Sequence, residues 1–165
     1  MATNRLIQRL FGADESGVGE DAVAVSNRRV VETFRAAGAI GEGDLVCFNV
    51  ADGGAGEVVM EVIECPAGAH PIGAAIASAA SGEDVRVVIG GIAEAQVKGS
   101  ESNGAGGEQN AVISSGDYLC ISNTTAGTLY KFTGGDDVIP NAVAVDDVGS
   151  GDAAASLTVI MLKSF

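Results

Sequence analysis

Nucleophilic catalysis needs a general base within hydrogen-bond reach of a Ser or Cys, and His70 is the one histidine in 165 residues. It sits between Ala69 and Pro71 in a turn-like stretch and reads as an incidental side chain. The three cysteines, Cys47, Cys65 and Cys120, form no Cys-x-x-Cys pair and leave one over, so neither a disulfide framework nor a zinc site is indicated. They read as small apolar residues in a reducing compartment. Gly-x-Ser-x-Gly is absent, and no glycine-rich segment runs into Gly-Lys-Ser/Thr, which excludes a phosphate-binding P-loop. Carboxylates are plentiful, as Glu83-Asp84, Asp136-Asp137 and Asp146-Asp147 with Asp152 nearby. By type they could serve acid–base chemistry or calcium. All three pairs lie at Gly/Ser-rich turns and no Asp-x-Asp-x-Asp-Gly loop is present, so they read as solvated turn charges. The expectation is a chain with no catalytic residue, no metal ligand and no cofactor.

Charge is distributed unevenly. Residues 1–35 carry five basic groups, Arg5, Arg9, Arg28, Arg29 and Arg35, against five acidic ones. The rest carries only Arg86, Lys98, Lys131 and Lys163 against 17 acids, so the whole net charge of -13 belongs to the body. Such a surface repels nucleic-acid phosphates and anionic lipid, and neither partner is expected. No basic segment leading into an apolar leader opens the chain, and no apolar run approaches the ~20 residues of a membrane span, which predicts a soluble protein not exported by the usual route.

The elements that must position any contact residues follow from pattern. Leu6, Ile7, Leu10 and Phe11 recur as a narrow apolar stripe, a short helix that Thr3 or Asn4 can cap and Gly12 can end. A helix this short is marginal alone in water and must dock, on its own core or on a partner. The Gly/acid segment 12–21 gives it reach. Residues 1–28 are therefore read as an N-terminal arm, and 29–165 as one domain.

That domain reads as all-β. Predicted strands are Arg29–Arg35, Leu45–Val50, Val58–Glu64, Ile72–Ala77, Val85–Ile89, Ile92–Val97, Ala111–Ile113, Tyr118–Ser122, Thr128–Phe132, Ala142–Val145 and Leu157–Leu162, separated by Gly-rich turns. Short strands at this spacing leave no room for helical crossovers and predict a compact β-barrel or β-sandwich. With aromatics at 4% and no Trp, the core must come from Val, Ile, Leu and Ala. Polar residues 98–110 read as an exposed mobile loop between two similar halves, about 29–97 and 111–165. Gly43-Asp44-Leu45-Val46-Cys47 is echoed by Gly116-Asp117-Tyr118-Leu119-Cys120. Pro71–Ala77 with Ser81-Gly82 and Val85–Ile89 is echoed by Pro140–Val145 with Ser150-Gly151 and Leu157–Leu162. The domain is read as two degenerate repeats sharing one core.

Three runs also carry a family resemblance. Val31-Glu32-Thr33-Phe34-Arg35-Ala36-Ala37-Gly38-Ala39-Ile40, Gly43-Asp44-Leu45-Val46, and Pro71-Ile72-Gly73-Ala74-Ala75 with Ser81-Gly82-Glu83-Asp84-Val85-Arg86-Val87 resemble the capsid decoration, or cement, proteins of tailed bacteriophages. The match spans residues 30–90, with a weaker echo over 114–162. The resemblance implies a small β-rich virion protein with no enzymatic activity. It implies a homotrimer, made in the host cytoplasm, that sits on the outer face of an icosahedral capsid and clamps adjacent subunits of the major capsid protein. In such proteins the N-terminal arm reaches onto the capsid lattice or a neighbouring subunit. Here Met1–Arg28 is longer than the short start of that family. The partner-contact residues expected on this reading are Arg5, Leu6, Ile7, Arg9, Leu10 and Phe11 in the arm, with Arg28 and Arg29 as charge-pairing candidates. The competing classes are a small trimeric β-barrel nucleotide hydrolase, for which no nucleotide motif is present, and a phage-tail receptor or carbohydrate-binding module, for which only Tyr118 and Tyr130 could stack on a sugar.

Overall fold

A computed structural model describes residues 29–50, 61–102, 108–110, 112–132, 139–149 and 155–162. The arm, with its expected helix, lies outside these residues. Within them the chain is all-β, with strands β1 (Val30–Ala36), β2 (Leu45–Phe48), β3 (Glu61–Glu64), β4 (Gly73–Ala75), β5 (Asp84–Val97), β6 (Ser100–Ser102), β7 (Glu108–Asn110), β8 (Tyr118–Ile121), β9 (Leu129–Lys131), β10 (Ala142–Ala144) and β11 (Ala155–Met161).

Pairing runs β1-β3-β2-β4-β5 and returns from β5 to β1, so these five strands close into a barrel. A second circuit, β5-β11-β10-β8-β9, closes where Val97 of β5 lies parallel to Leu129 of β9. Closure leaves no sheet edge inside either circuit, which removes the usual route to strand-on-strand aggregation. The two circuits share β5. Its 14 residues were expected as two strands broken at Gly90-Gly91. The glycines instead let one strand pass from the first barrel into the second, with Gly91 at φ 89°, a conformation that side-chain-bearing residues rarely adopt.

Each barrel has its own core. Phe34, Ala36, Ile40, Val46, Val62, Ala75, Ala79, Val85, Val87 and Ile89 fill the first. Ala93, Ala95, Val97, Leu119, Ile121, Leu129, Leu157, Val159 and Met161 are central to the second. Leu45, Ala74 and Val88, which alternate with first-core residues along their strands and so point out of barrel one, belong to the second cluster. The outer wall of barrel one is thus the floor on which barrel two is built.

The repeat is visible bond by bond. Ile40 and Ala79 exchange both backbone hydrogen bonds at 2.9 Å, and Ile113 and Val148 do the same at 3.0 and 2.8 Å. Gly43 N–H donates to Ala75 C=O at 2.9 Å, as Gly116 N–H does to Ala144 C=O at 2.8 Å. Ile76 N–H donates to Arg86 C=O, as Val145 N–H does to Thr158 C=O. The C-terminal half of β5 plays for barrel two the part that β1 plays for barrel one. Ala36 lies parallel to Val62 in the first, and Val97 to Leu129 in the second.

The segment expected as an open loop differs from that reading. Ser100–Ser102 pairs antiparallel with Glu108–Asn110, a separate two-stranded ladder. Its Ser, Glu, Gln and Asn residues give no apolar alternation, and backbone pairing needs none.

Candidate docking surface

Of the expected contact residues, Arg5, Leu6, Ile7, Arg9, Leu10, Phe11 and Arg28 lie outside the described residues. Arg29 lies immediately before β1, is exposed, and lines a cleft of about 140 Å³ with Glu42, Ala75, Ile76, Val88, Ala93 and Glu94. Two glutamates of its own chain therefore share the cleft, on the seam between the barrels.

Of the carboxylates singled out from sequence, Asp136, Asp137 and Asp152 lie outside the described residues, while Glu83 and Asp147 build turns, as do the aspartates of the two Gly-Asp echoes. Asp44 Oδ2 accepts from Gly41 N–H at 2.6 Å and Asp117 Oδ2 from Ser114 N–H at 2.8 Å, the same turn in each repeat, with Gly43 and Gly116 at φ 81° and 90°. Glu83 closes the turn at Ala80 N–H, and Asp147 reaches Ser115 N–H at 2.7 Å. Among the described residues no three His, Cys, Asp or Glu side chains gather as a metal site would require.

Asp117 has a second partner, since Lys131 Nζ lies 2.6 Å from Oδ2. The hydrogen bond from Lys131, then that from Ser114 N–H, holds its carboxyl below the usual aspartate range. A carboxyl depressed on folding stabilises the fold fully above its unfolded value, near 3.9, and loses that contribution as pH falls through the lower folded value. Lys131→Met is accordingly expected to return the Asp117 titration toward 3.9 in carboxyl-detected NMR, and an unmoved midpoint would show that the ammonium contributes nothing. Glu64 goes the other way, raised by burial and by the neighbouring charge of Asp44. Beside it, the Cys65 thiol donates toward Cys47, which favours the Cys47 thiolate and, with burial, keeps Cys65 protonated.

Sequence reasoning missed a row of apolar side chains on the outside of barrel two. Val143 of β10 is flanked by Tyr118 of β8 and Ile160 of β11, and Ile160 is in turn paired with Ile92 of β5. Residues aligned across neighbouring strands point to one face. Here that face is the solvent side, with Tyr118 at 55% and Ile160 at 39% exposure, and Val143 and Ile92 half-buried. Around it the alternation is regular, since Leu119, Ala142, Ala144, Val159 and Met161 all point into the core.

No protein-family model and no curated protein matches the sequence. Among solved structures, the fold is similar to that of the head fiber gp8.5 N base of bacteriophage phi29, with a TM-score of 0.53 and 18% sequence identity over 82% of this chain and 96% of that one. The likeness establishes a shared fold.

Proposed function

We propose that this chain is a structural protein of a tailed-phage virion. It binds the outer surface of the icosahedral capsid as a homotrimer and stabilises the shell by clamping adjacent subunits of the major capsid protein. The observation that carries this reading is the fold likeness to the base of a phage head fiber, spanning 96% of that chain. The resemblance of three short runs to capsid cement proteins points the same way.

The physical character of the body suits the role. Asp44, Glu83, Asp117 and Asp147 are engaged in turn geometry, and buried Val, Ile, Leu and Ala side chains fill two closed cores. On this reading it performs no catalysis and needs no cofactor, nucleic acid or membrane. Clamping arises from several modest contacts made at once, where a trimer converts weak single-site affinity into durable attachment. The arm, close to neutral beside a strongly acidic body, supplies the contacts, and Arg29 at its root offers a charge to the shell.

Co-sedimentation with shells assembled from the major capsid protein encoded alongside it tests the reading. The protein is expected to pellet with shells to a saturating stoichiometry and to stay bound at high salt, because apolar arm contacts are not screened. A protein that stays in the supernatant at all salt concentrations overturns the role.

A further inference from the structure

The repeat allows one face of the molecule to be compared with its own counterpart. In barrel one, Leu45, Ala74, Val88 and Val31 lie in register across β2, β4, β5 and β1. In barrel two, Tyr118, Val143, Ile160 and Ile92 occupy the corresponding places across β8, β10, β11 and β5. The first row is covered. Leu45, Ala74 and Val88 are 0–1% exposed, with Val31 packed against them. What covers the row is the end of barrel two between β8 and β9. Leu45 N–H donates to Gly127 C=O at 2.8 Å, Gly127 N–H to Cys65 C=O at 2.9 Å, and Gly68 N–H to Ser122 C=O at 2.8 Å. Ile121 and Leu129 at that end are buried.

Both halves of this contact have an unused counterpart. The second row, on barrel two, is apolar and faces solvent. At the corresponding end of barrel one, at the close of β2, Phe48 stands in the place of Ile121. Phe48 is 40% exposed although it packs edge-on against Phe34 at 5.8 Å, and Val50 just beyond it is 89% exposed. One chain thus makes the barrel-to-barrel contact once, internally, and presents the matching tail and head at its two extremes.

We infer that the row Tyr118, Val143, Ile160 and Ile92 is a self-association surface whose occupant is the Phe48–Val50 end of barrel one in a second copy of this chain. The contact repeats between copies the packing already made within one. It is heterologous, so identical steps close into a ring when the rotation per step divides the circle. A trimer formed this way is a ring of six barrels with alternating internal and intermolecular joints. The inference gives a surface to the trimer proposed above, yet it concerns the isolated protein and stands or falls without the capsid.

Charge-neutral substitutions in the full chain test it by analytical ultracentrifugation, with circular dichroism to confirm folding. Ile160→Gln with Tyr118→Gln removes the tail. Phe48→Gln removes the head, and Val50→Gln repeats that test without touching the core. The parent is expected to sediment as a closed oligomer, and each variant to self-associate about tenfold or more weakly. Mixing a head variant with the tail variant is expected to restore one good contact and give a 1:1 heterodimer. A monomeric parent overturns the inference. So do an oligomer indifferent to all these variants, which would leave the trimer standing on another surface, and a mixture that forms no heterodimer.

Discussion

Removing residues 1–25 is expected to lower affinity for assembled shells by about 100-fold or more while leaving the two-barrel body folded and its solution mass per oligomer otherwise unchanged. The size of the effect comes from what the arm carries. Leu6, Ile7, Leu10 and Phe11 form one apolar stripe, and full burial of each such side chain contributes about 1.5–3 kcal/mol before the cost of ordering the segment. A helix as short as the one expected there is marginal alone in water, so on the proposed reading most of that energy appears on binding. In the proposed trimer three arms act together, and losing all of them removes the multiplied gain. Leu10→Asp with Phe11→Asp is expected to reproduce most of the loss, whereas Arg5→Gln with Arg9→Gln removes only the part that salt already weakens. The check is co-sedimentation beside circular dichroism of the truncated protein. Unchanged pelleting with a folded body would move the capsid contact onto the barrels and leave the arm without its assigned role.

Much of the architecture was legible because short apolar runs bounded by Gly-rich turns mark the barrel strands. Along β11, Leu157, Val159 and Met161 are buried while Ser156 and Ile160 are exposed, and the run Leu157–Leu162 was recognisable as a short apolar stretch following a Gly/Ser-rich turn. The paired Gly-Asp turns located the repeat, since an aspartate that closes a turn on the N–H three residues back, beside a glycine at positive φ, is a local device needing no tertiary information. What misled was Gly90-Gly91. Two adjacent glycines read as a turn, yet here they are the bend of a strand shared by two barrels. Nothing local distinguishes a chain that reverses at glycine from one that merely bends there, because the difference lies in what Val88 and Ile92 pair with on either side.

The apolar row shows where sequence reading stops for a different reason. Tyr118 and Leu45 hold equivalent places, and both open a strand after a Gly-Asp turn. Leu45 is buried and Tyr118 exposed because barrel two covers the outer face that carries Leu45, while no described residue covers the face that carries Tyr118. Pattern assigns a side chain to a face of a strand, and only the packing of whole barrels decides which outer face meets water. A Tyr where the covered repeat has Leu, with a phenol suited to a surface that alternates between wet and buried, was the one available hint.

The repeat also supplies an internal control for the strongest stability prediction. A methyl added at Gly73 would stand 2.3 Å from Val88 C=O oxygen, 2.7 Å from Val87 Cγ1 and 2.9 Å from the Val88 carbonyl carbon. Two of those three atoms belong to the backbone of β5, which is fixed by the β4–β5 ladder through Ala74 and Ala75. Rotating a side chain cannot relieve the clash, so the ladder itself must open. The counterpart in barrel two is Ala142, which carries that methyl while 0% exposed. Gly73→Ala is therefore expected to destabilise the protein by about 3 kcal/mol, a fall of about 10 °C in Tm. Ala142→Gly should cost only about 1–2 kcal/mol, from lost methyl burial and added chain entropy. Urea unfolding at one fixed protein concentration, so that self-association does not shift the midpoints, compares the two. Were Gly73→Ala to stay within about 0.5 kcal/mol of the parent, β4 would have to ride farther from β5 than its ladder indicates, and barrel one would be the more yielding of the two.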